Sequence, residues 1–304
     1  MNLLNKIKIY FKNPYKFLLY LDKKRIITLK DEVFLKYQYK DVFDKELNLD
    51  NPITFNEKLQ WLKIHDRKKE YINLVDKYEV KKIVEEKIGK EYIIPTLGIY
   101  NSWNEIDFDK LPNQFVIKCT HDSGGIEICK DKEKFDFKNA QKKICKNLKK
   151  NFFYLGREWP YKDVKPRIII EKYMEDATQK SMRDFKFFCF YGKPEIMYIS
   201  EGLENHETAS MSFFDMDYNQ IELKRKDYKL LVEKPGKPIN FKKMKEFSAL
   251  LSSKIPHVRC DWYEINGKLY FGELTFFTCS GFVPFEDDKW DEKMGDLLEL
   301  SNEI

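Results

Sequence analysis

The sequence lacks the features that mark several classes of protein. Its six cysteines form no Cys-x-x-Cys pair and no regular framework, which argues against a zinc site and favours reduced thiols in a cytosolic protein. No apolar run approaches the roughly 18 residues that a membrane-spanning helix needs. There is no nucleic-acid-binding motif, no internal repeat, and no Ser-His or Cys-His arrangement typical of nucleophilic catalysis. We therefore expect a folded protein that does not bind nucleic acid.

What the sequence does contain is a long, aromatic-rich and highly charged chain. It has 304 residues, including 24 Phe and 18 Tyr, and is 42% hydrophobic and 35% charged, a composition typical of globular proteins. A chain of this length is expected to hold two or three lobes. The net charge of +5, from 55 basic and 50 acidic residues, suits an anionic ligand or a membrane surface.

Basic and apolar residues alternate at the N-terminus. Residues 1–26 contain no small-residue cleavage site, so we do not expect a secretion signal there. One interpretation is a segment that lies on an anionic membrane surface. The favoured interpretation is a helix pair docked on the body of the protein, because an apolar helical stripe usually faces the core. The basic residues of this segment are Lys6, Lys8, Lys12, Lys16, Lys23, Lys24 and Arg25.

The pattern of elements predicts the α+β class. Strands occur as hairpins mixed with helices, without a strict βαβ alternation. Thr54 and Glu57 have the spacing of a capping box and predict the start of a helix. Helical spacing covers residues 55–88, 136–152 and 241–255, and β-rich segments cover residues 92–100, 114–119, 167–174, 185–200 and 258–277.

The first candidate site is a lysine at the end of a buried strand. Lys118 directly precedes the loop Cys119–Gly125, which ends in two glycines. An ammonium beside such a loop, together with backbone N–H groups, can surround phosphate oxygens. The lysine precedes the glycines, unlike in the GxxxxGK[ST] loop, and a strand that runs into a turn explains the pattern equally well. His121 in this loop is interpreted as a hydrogen-bonded residue.

The second candidate site follows the apolar strand Ile168–Ile170. Backbone groups of a strand that continues into a linker can bind the edge of an adenine, and Asp184 is available downstream for the ribose hydroxyls. Taken alone, this stretch is better explained as an exposed strand end. The linker residues are Glu171, Lys172, Tyr173 and Met174.

The third candidate site is a hairpin with an Asn266-Gly267 turn. Alternation places Arg259 and Asp261 on one face of its first strand, and Glu273 lies on its second strand. The alternative to a functional site is a surface ion pair. Two carboxylates that bind one metal ion must share a face, so the geometry of the turn decides between these interpretations.

A regular hairpin would separate the two carboxylates. With a two-residue turn, Asp261 falls opposite Gly272 and Glu273 points to the other face. For both carboxylates to bind one metal ion, the loop must gain a residue or the ladder must contain a bulge, and Gly267 or Gly272 would permit it. The metal interpretation therefore predicts an irregular hairpin, and a regular ladder would exclude it.

Together the three candidate sites, in this order, resemble the ATP-grasp superfamily, which includes D-alanine–D-alanine ligase. More closely, the chain resembles the TupA-like branch, whose members are bacterial proteins associated with teichuronopeptide, capsule and other surface polysaccharide synthesis. The resemblance covers Thr54 to Trp290. It rests on the motifs FNEKLQWLK, LVDKYEVKK, KCTHDSGG, GREWPY, RDFKFFCFYGKP, VRCDWY and YFGELTFF.

The resemblance implies an ATP-grasp fold, in which two α+β lobes clasp ATP, here with a helical N-terminal extension. The implied division is an extension at 1–54, an N-terminal lobe at 55–114, a small lid lobe at 115–180 and a C-terminal core lobe at 181–304.

The resemblance also implies a role for each matching residue. Arg259 and Lys118 would be catalytic, through stabilisation of the transferring phosphate. Thr275 stands where the superfamily usually has an asparagine ligand, so a full two-magnesium site is in doubt. The implied contacts are Lys77 and Lys118 to phosphate, Ser123, Gly124 and Gly125 as a loop that closes over the phosphates, Glu171, Lys172, Tyr173 and Met174 to adenine, Asp184 to ribose, and Asp261, Glu273 and Thr275 to Mg²⁺.

The function implied by the resemblance is ATP-dependent amide formation through an acyl phosphate. The expected substrates are an amino acid or small amine and a uronic-acid carboxylate of a surface glycan. Arg157, Trp159 and Tyr161 are candidate substrate contacts, because a guanidinium can bind a carboxylate and aromatic rings can stack on a sugar. Packing of their loop is an equally good explanation. We expect a cytoplasmic protein with peripheral contact to the inner face of the membrane through its basic N-terminus.

Two other functions remain open at this stage. Asp215-Met-Asp217 has the DxD form with which a glycosyltransferase binds a metal ion and a sugar nucleotide, although such tripeptides are common by chance. The other alternative is a non-catalytic scaffold that retains a ligase fold, against which the retained lysines and carboxylates argue.

Overall fold

Two antiparallel sheets, with helices packed against them, make up most of the protein and confirm the α+β prediction. The computed structural model describes residues 12–177, 182–202 and 209–301. Lys6 and Lys8 of the basic N-terminal segment lie outside these residues.

The described residues form nine α-helices and six short 3₁₀ helices. The α-helices are α1 (Pro14–Lys23), α2 (Asp31–Phe43), α3 (Phe55–His65), α4 (Tyr71–Val75), α5 (Glu79–Ile88), α6 (Phe137–Leu148), α7 (Phe153–Gly156), α8 (Phe241–Leu251) and α9 (Lys289–Leu297). The 3₁₀ helices are Lys90–Tyr92, Trp103–Glu105, Phe108–Lys110, Lys132–Lys134, Trp159–Tyr161 and Thr278–Gly281.

The nine strands of the described residues divide into a four-stranded and a five-stranded sheet. The strand order is β1-β4-β2-β3 in the small sheet and β7-β6-β5-β8-β9 in the large sheet. The strands are β1 (Thr96–Tyr100), β2 (Phe115–Cys119), β3 (Ile126–Cys129), β4 (Ile168–Lys172), β5 (Asp184–Phe190), β6 (Lys193–Glu201), β7 (Ser210–Asp215), β8 (Val258–Ile265) and β9 (Lys268–Thr275).

Three strands of the small sheet, β2, β3 and β4, lie within the predicted lid lobe at 115–180. The side chains of strand β2 alternate between the two faces of the sheet. Phe115, Ile117 and Cys119 are fully buried against helix α6, while Lys118 points to the other face. Strand β1 forms one edge of this sheet although its residues lie before the predicted boundary at 115. The small sheet therefore draws its strands from both sides of that boundary.

The large sheet contains the principal hydrophobic core. Strand β5 is buried along its whole length and pairs with β6 on one side and β8 on the other. Helix α8 packs on one face through Phe241, Met244 and Leu251. The opposite face carries the polar residues of the third candidate site, beside Phe188 and Tyr198 of the same core.

The predicted helical segment 55–88 is broken into three helices. The capping box forms at its start, since the Thr54 side chain accepts from the backbone of Glu57 and the Glu57 side chain accepts in return. The breaks were not predicted. Asp76 ends α4 and accepts hydrogen bonds from the backbone N–H groups of Tyr78 and Glu79, which begins α5. Lys77 is thereby placed in the junction between two helices.

The described part of the N-terminal extension is docked on the body, which agrees with the favoured interpretation, although the second helix of the pair lies beyond the predicted segment 1–26. Helices α1 and α2 share a small core that includes Leu19, Phe34 and Leu35. The body contributes Arg157, which is 0% exposed and pairs with Asp22 at 2.7 Å. No helix among the described residues has the length and apolar content needed to cross a membrane.

The buried pair between Arg157 and Asp22 generates a stability prediction. Replacing Arg157 by Met leaves a carboxylate that is 1% exposed without its cation, so we expect the free energy of unfolding to fall by about 3–5 kcal/mol. Urea denaturation of the full chain measures the change. Lys45→Met, which breaks an ion pair with Asp288 that solvent reaches on both sides, is the control and should change stability little. Equal stability of both variants would contradict the structural role of Arg157.

Candidate functional site

The hairpin of β8 and β9 is irregular, as the metal interpretation requires. Its turn is a regular two-residue turn, in which Ile265 pairs with Lys268. The pairing register then shifts by one residue, so that both Gly272 and Glu273 lie opposite Asp261. This β-bulge brings Glu273 onto the same face as Asp261. A Cβ atom at Gly272 would lie only 3.0 Å from the carbonyl oxygen of Asp261, so glycine permits the close approach of the two strands.

The Asp261 carboxylate is the centre of the polar face of the large sheet. Its oxygens accept hydrogen bonds from Arg259 Nε at 2.7 Å, from Arg259 Nη2 at 2.6 Å and from Lys186 Nζ at 2.6 Å. Asp261 is 1% exposed. Lys186 also pairs with Asp184 at 3.1 Å, and burial lowers its pKa less than these two carboxylates raise it. Arg259 and Lys186 are thus both paired with the buried carboxylate of Asp261.

Glu273 is the carboxylate of this face that solvent reaches. Its side chain is 43% exposed, and its Oε1 lies 3.5 Å from Arg259 Nη2 and 3.1 Å from the hydroxyl of Thr275. Burial acts to raise the pKa of Glu273, but the charges of Lys77, Lys186 and Arg259 outweigh it and lower the pKa. In the described part of the chain, no group of three or more His, Cys, Asp or Glu residues is placed to hold a metal ion.

In the small sheet, Lys118 is held by Glu171. Lys118 Nζ lies 2.7 Å from one oxygen of this buried carboxylate, and Lys81 of helix α5 pairs with the other oxygen. Burial acts to raise the pKa of Glu171, but Lys118 and Lys81 lower it to about 2. A carboxylate with that pKa is charged at neutral pH, so it keeps both ammonium groups in place.

The charges of the two sheets act on each other across the space between them. Burial acts to lower the pKa of Lys118, but Glu171, Glu273 and Asp184 raise it, and the last two residues belong to the large sheet. Lys77 contributes the largest lowering effect on the pKa of Glu273. Charges of the sequence-predicted residues Lys77, Lys118, Glu273 and Asp184 therefore interact across the two sheets.

Lys77 is fastened to the glycine loop. Its backbone N–H donates to the carbonyl of Thr120 at 3.1 Å, and its ammonium donates to the carbonyl of Asp122. Ser123 and Gly124 are exposed at the tip of this loop, which joins β2 to β3. Gly124 adopts a φ of 94°, a conformation that favours glycine.

Two other residues of the glycine loop, Gly125 and His121, are explained by their packing. A Cβ atom on Gly125 would lie 2.6 Å from a carboxylate oxygen of Asp122, so a larger residue there would force the Asp122 side chain to move. His121 is buried, and its Nε2 lies 3.1 Å from the carbonyl of Lys150. Burial lowers the pKa of His121, which agrees with a neutral, hydrogen-bonded ring.

The linker after β4 is attached to the tip of the β8–β9 hairpin. Asn266 Nδ2 donates to the carbonyl of Glu175 at 3.1 Å, and the N–H of Ala177 donates to Asn266 Oδ1 at 3.1 Å. Tyr173 and Met174 are half-buried, and Lys172 is exposed. These residues lie between the two sheets along the chain, and their contact with adenine stays a prediction.

For Arg157, the structure favours the alternative of loop packing over the predicted substrate contact. Its guanidinium lies in the interface with the N-terminal helices, where it pairs with Asp22 and with Asp31 at 3.1 Å and covers the ring of Phe34. A side chain that is 0% exposed and bound to two carboxylates does not reach a ligand. Arg157 is buried because a separate helix pair docks on it. No local pattern in the sequence predicts this burial.

Trp159 and Tyr161, in contrast, remain half-buried. Burial raises the pKa of Tyr161, and the charges of Glu158 and Glu273 raise it further. The Tyr161 hydroxyl therefore interacts electrostatically with Glu273 of the site. The segment packs against the core of the large sheet, although the sequence assigns it to the lid lobe.

Asp215 and Asp217 form a turn. The Asp215 carboxylate accepts from the backbone N–H groups of Asp217 at 3.0 Å and Asn219 at 2.8 Å, and from the Asn219 side chain at 3.0 Å. Strand β7 lies at the opposite edge of the sheet from β9. These contacts explain the tripeptide as turn chemistry, as is common for Asp at strand ends.

Sequence reasoning missed three lysines that the structure places at or beside the site. Lys186 lies opposite Asp261 in the β5–β8 ladder, and Lys81 shares Glu171 with Lys118. Lys63 is 0% exposed beneath the segment that follows β9. The motif RDFKFF offered a signal for Lys186, because a charged residue on an otherwise apolar strand requires a buried partner.

Residues 57–299 match the model of a protein family described as "TupA-like ATPgrasp". This match includes both sheets and the three candidate sites. No curated protein matches the chain.

Among solved structures, the chain is similar to D-alanine–D-alanine ligases. For the enzyme of Bacillus anthracis complexed with ATP, the identity is 17% over 67% of this chain and 55% of that one, with a TM-score of 0.39. For the Helicobacter pylori enzyme, the identity is 14% over 81% and 69% of the two chains, with a TM-score of 0.46. The ATP-grasp ligase PsnB complexed with a minimal precursor gives 8% identity, 80% and 68% coverage and a TM-score of 0.41. The chain thus spans about half the length of the first of these structures.

The charge of Glu171 generates a pH prediction. Because its pKa is lowered in the folded state, its contribution to stability is full above the ordinary pKa of a glutamate and is lost as the pH falls towards about 2. We expect this group to remove on the order of 3 kcal/mol from the free energy of unfolding between about pH 5 and pH 2. Urea denaturation at a series of pH values measures it.

In the Glu171→Gln variant this part of the pH dependence should be absent. Glu127→Gln, which breaks a partly exposed pair with Lys143, is the control and should keep the wild-type dependence. If Glu171→Gln and the wild type lose stability with the same slope, the ion pairs of Glu171 do not have the strength inferred here.

Proposed function

We propose that this chain, which belongs to the TupA-like ATP-grasp family, is an ATP-dependent ligase that joins an amine to a carboxylate. Its membership confirms the resemblance in the sequence and the ATP-grasp fold. The observation that carries the proposal is the set of four cations that surrounds Glu273 between the two sheets. These are Lys77, Lys118, Lys186 and Arg259.

Four cations around one region suit the triphosphate of ATP. Phosphoryl transfer needs little covalent chemistry from the protein, because positioning and neutralisation of negative charge supply most of the catalysis. Arg259 and Lys186 belong to the large sheet, and Lys118 and Lys77 belong to the side of the small sheet. Ligand phosphates would therefore bind both sides at once, and Arg259 and Lys118 would stabilise the transferring phosphate.

The proposed reaction has two steps. A carboxylate oxygen of the substrate attacks the γ-phosphorus of ATP, the bond from phosphorus to the bridging oxygen breaks, and ADP leaves with the electron pair. The amine nitrogen then attacks the acyl carbon, phosphate leaves, the nitrogen loses a proton, and an amide remains. No nucleophilic side chain takes part, which agrees with a site made of cations and carboxylates.

The remaining nucleotide contacts follow the matching positions. Glu171, Lys172, Tyr173 and Met174 would bind adenine, and Asp184 the ribose. Ser123, Gly124 and Gly125 would close over the phosphates, since two of these residues are exposed at the tip of a loop that Lys77 holds.

The donor set fits a magnesium ion at Glu273. Mg²⁺ prefers carboxylate oxygens and water, and Glu273 with the neighbouring hydroxyl of Thr275 presents hard oxygen donors to solvent. Asp261 stands behind them with its oxygens bound to Arg259 and Lys186, so it would serve as a ligand only when one of these cations turns to a phosphate. When bound, the ion would neutralise charge on the polyphosphate.

We further propose that the carboxylate substrate is a uronic acid of a bacterial surface polysaccharide, such as capsule or teichuronopeptide, and that the amine is an amino acid or small amine. A groove of about 810 Å³ supports this proposal, because Lys224, Lys226 and Lys229 line it. Tyr228 also lines it, and the nearby charges of Arg225 and Lys186 affect the pKa of this tyrosine. Asp227 and Glu286 line the groove as well, so its three lysines leave it with a net positive charge.

The proposed location is the cytoplasm, where ATP is available, with peripheral contact to the inner face of the membrane. The partly basic helix α1 supports such a contact. Lys6 and Lys8, which would contribute to it, lie outside the described residues.

The charge of Glu273 provides the test of the ligase proposal. We expect the purified wild type to release ADP from ATP with Mg²⁺ only when an amine and a uronic acid are both present. Glu273→Gln should lower this turnover by roughly 10²–10³, since it removes the carboxylate proposed to hold the magnesium ion that neutralises the polyphosphate. Glu195→Gln, a change of the same kind on strand β6, is the control. A wild type that binds no nucleotide, or a Glu273→Gln variant with full turnover, would refute the proposal.

The lysines of the groove provide a separate test of the acidic substrate. Replacing Lys224, Lys226 and Lys229 by Gln should raise the KM for the uronic acid about tenfold and leave the Kd of ATP unchanged, because each partly exposed ion pair contributes a fraction of a kcal/mol. A triple Gln variant of the exposed Lys138, Lys142 and Lys146 on helix α6 is the control. An equal KM in both triple variants would show that the groove does not bind the acid.

A further inference from the structure

The turn that follows strand β9 has an unfavourable backbone. Cys279, Ser280 and Gly281 adopt φ values of 50°, 56° and 61°, so three successive residues are left-handed. Residues other than glycine avoid this conformation, because Cβ comes too close to the following carbonyl oxygen. Such a backbone persists only where its surroundings hold it, and it is often found at functional sites.

Helix α3 holds the turn from below through two polar side chains. Lys63 Nζ donates to the carbonyl oxygens of Ser280 and Gly156, both at 2.7 Å, and to Gln60 Oε1 at 2.8 Å. Gln60 Nε2 donates to the carbonyl of Gly281 at 2.8 Å. Lys63 and Gln60 are both 0% exposed, so all three N–H bonds of the ammonium are used inside the protein.

A buried carboxylate holds the turn from the side. Glu158 is 3% exposed and accepts a hydrogen bond from the hydroxyl of Ser280. Burial raises the pKa of Glu158, Lys63 opposes this effect, and the charges of Glu273 and Arg259 also reach it. The charge of Glu158 thus interacts both with Lys63 and with two residues of the proposed phosphate region.

The ammonium of Lys63 is costly to keep at this position. Burial, together with the charge of the Arg157 guanidinium, lowers the pKa of Lys63 to about 7, and the charge of Glu158 acts in the opposite direction. The rings of Phe277 and Phe282 complete its surroundings, at 5.6 Å and 4.5 Å. An apolar side chain would avoid the desolvation cost, so the fold gains from the three hydrogen bonds rather than from the charge.

The turn is joined to the site at its first residue. The hydroxyl of Thr278 accepts from Arg259 Nη1 at 3.5 Å, and Thr275, at the end of β9, accepts from Arg259 Nη2 at 3.0 Å. A change in the turn therefore moves a group that touches the arginine of the proposed phosphate site.

We propose that Lys63, with Gln60 and Glu158, is a positioning residue that holds the left-handed turn Thr278–Gly281 against Arg259 in the geometry needed for turnover. Lys63 acts through the turn and touches neither nucleotide nor substrate. The inference rests on the proposed ligase function for its catalytic consequence, whereas the clamp on the turn exists without it.

Lys63→Met keeps the length of the side chain and removes its three donors. We expect kcat for ADP release to fall about 100-fold, since small displacements at a reacting centre have effects of this size, while the Kd of ATP stays within about threefold. Hydrogen exchange of the peptide that spans 276–284, measured without substrates, should accelerate. Lys58→Met is the matched control, because Lys58 on the same helix clamps the carbonyls of Gly295 and Leu298, both at 2.9 Å. It should change neither readout.

A second substitution separates positioning from general damage. Glycine tolerates the left-handed conformation, so Cys279→Gly lowers the strain that the clamp must hold. In the Lys63→Met background it should restore kcat at least threefold. If Lys63→Met does not fold, Ser280→Ala, which removes the bond to Glu158, should accelerate exchange of the same peptide and lower kcat.

The outcomes distinguish the two proposals. Unchanged exchange in a folded Lys63→Met variant, a kcat within threefold of wild type, an equal loss of ATP affinity and kcat, or the absence of rescue by Cys279→Gly would each overturn the positioning inference. A wild type without ADP release, combined with faster exchange in Lys63→Met, would refute the ligase proposal while the clamp itself stands.

Discussion

The ion pairs of Asp261 are the contact on which the polar face of the large sheet depends. Arg259 and Lys186 lie on neighbouring strands and point to the same place, which two cations do only when an anion lies between them. Asp261 is that anion, and it is almost completely buried. Without it, two like charges would lose their counterion within a largely apolar sheet, and neither side chain would be held ready for a phosphate.

The small sheet uses the same arrangement. Glu171 gathers Lys118 from β2 and Lys81 from α5, as Asp261 gathers Arg259 and Lys186. In each sheet a buried carboxylate therefore orients two cations before any ligand arrives. This pre-organisation favours an anionic ligand between the sheets, because its negative charge meets side chains whose conformational entropy has already been lost.

The residues that could be predicted from the sequence are those whose position follows from local rules. The capping box at Thr54 and the charged hairpin depend on neighbours in the chain, so spacing alone locates them. Lys186 could not be paired with Asp261 in advance, because the two lie 75 residues apart and meet only through sheet order. The choice between packing and substrate contact for Arg157 stayed open for a similar reason, since its burial requires the docking of helices from the N-terminus.

The hairpin shows how sequence, register and site constrain one another. Its turn cannot gain a residue without moving Asn266, whose side chain binds the linker at Glu175 and Ala177. The one-residue shift that brings Glu273 beside Asp261 must therefore occur within the ladder, and Gly272 is the position where the opposite backbone leaves no room for a side chain. A regular turn and a bulge are thus both required: the turn fixes the linker, and the bulge places the carboxylate.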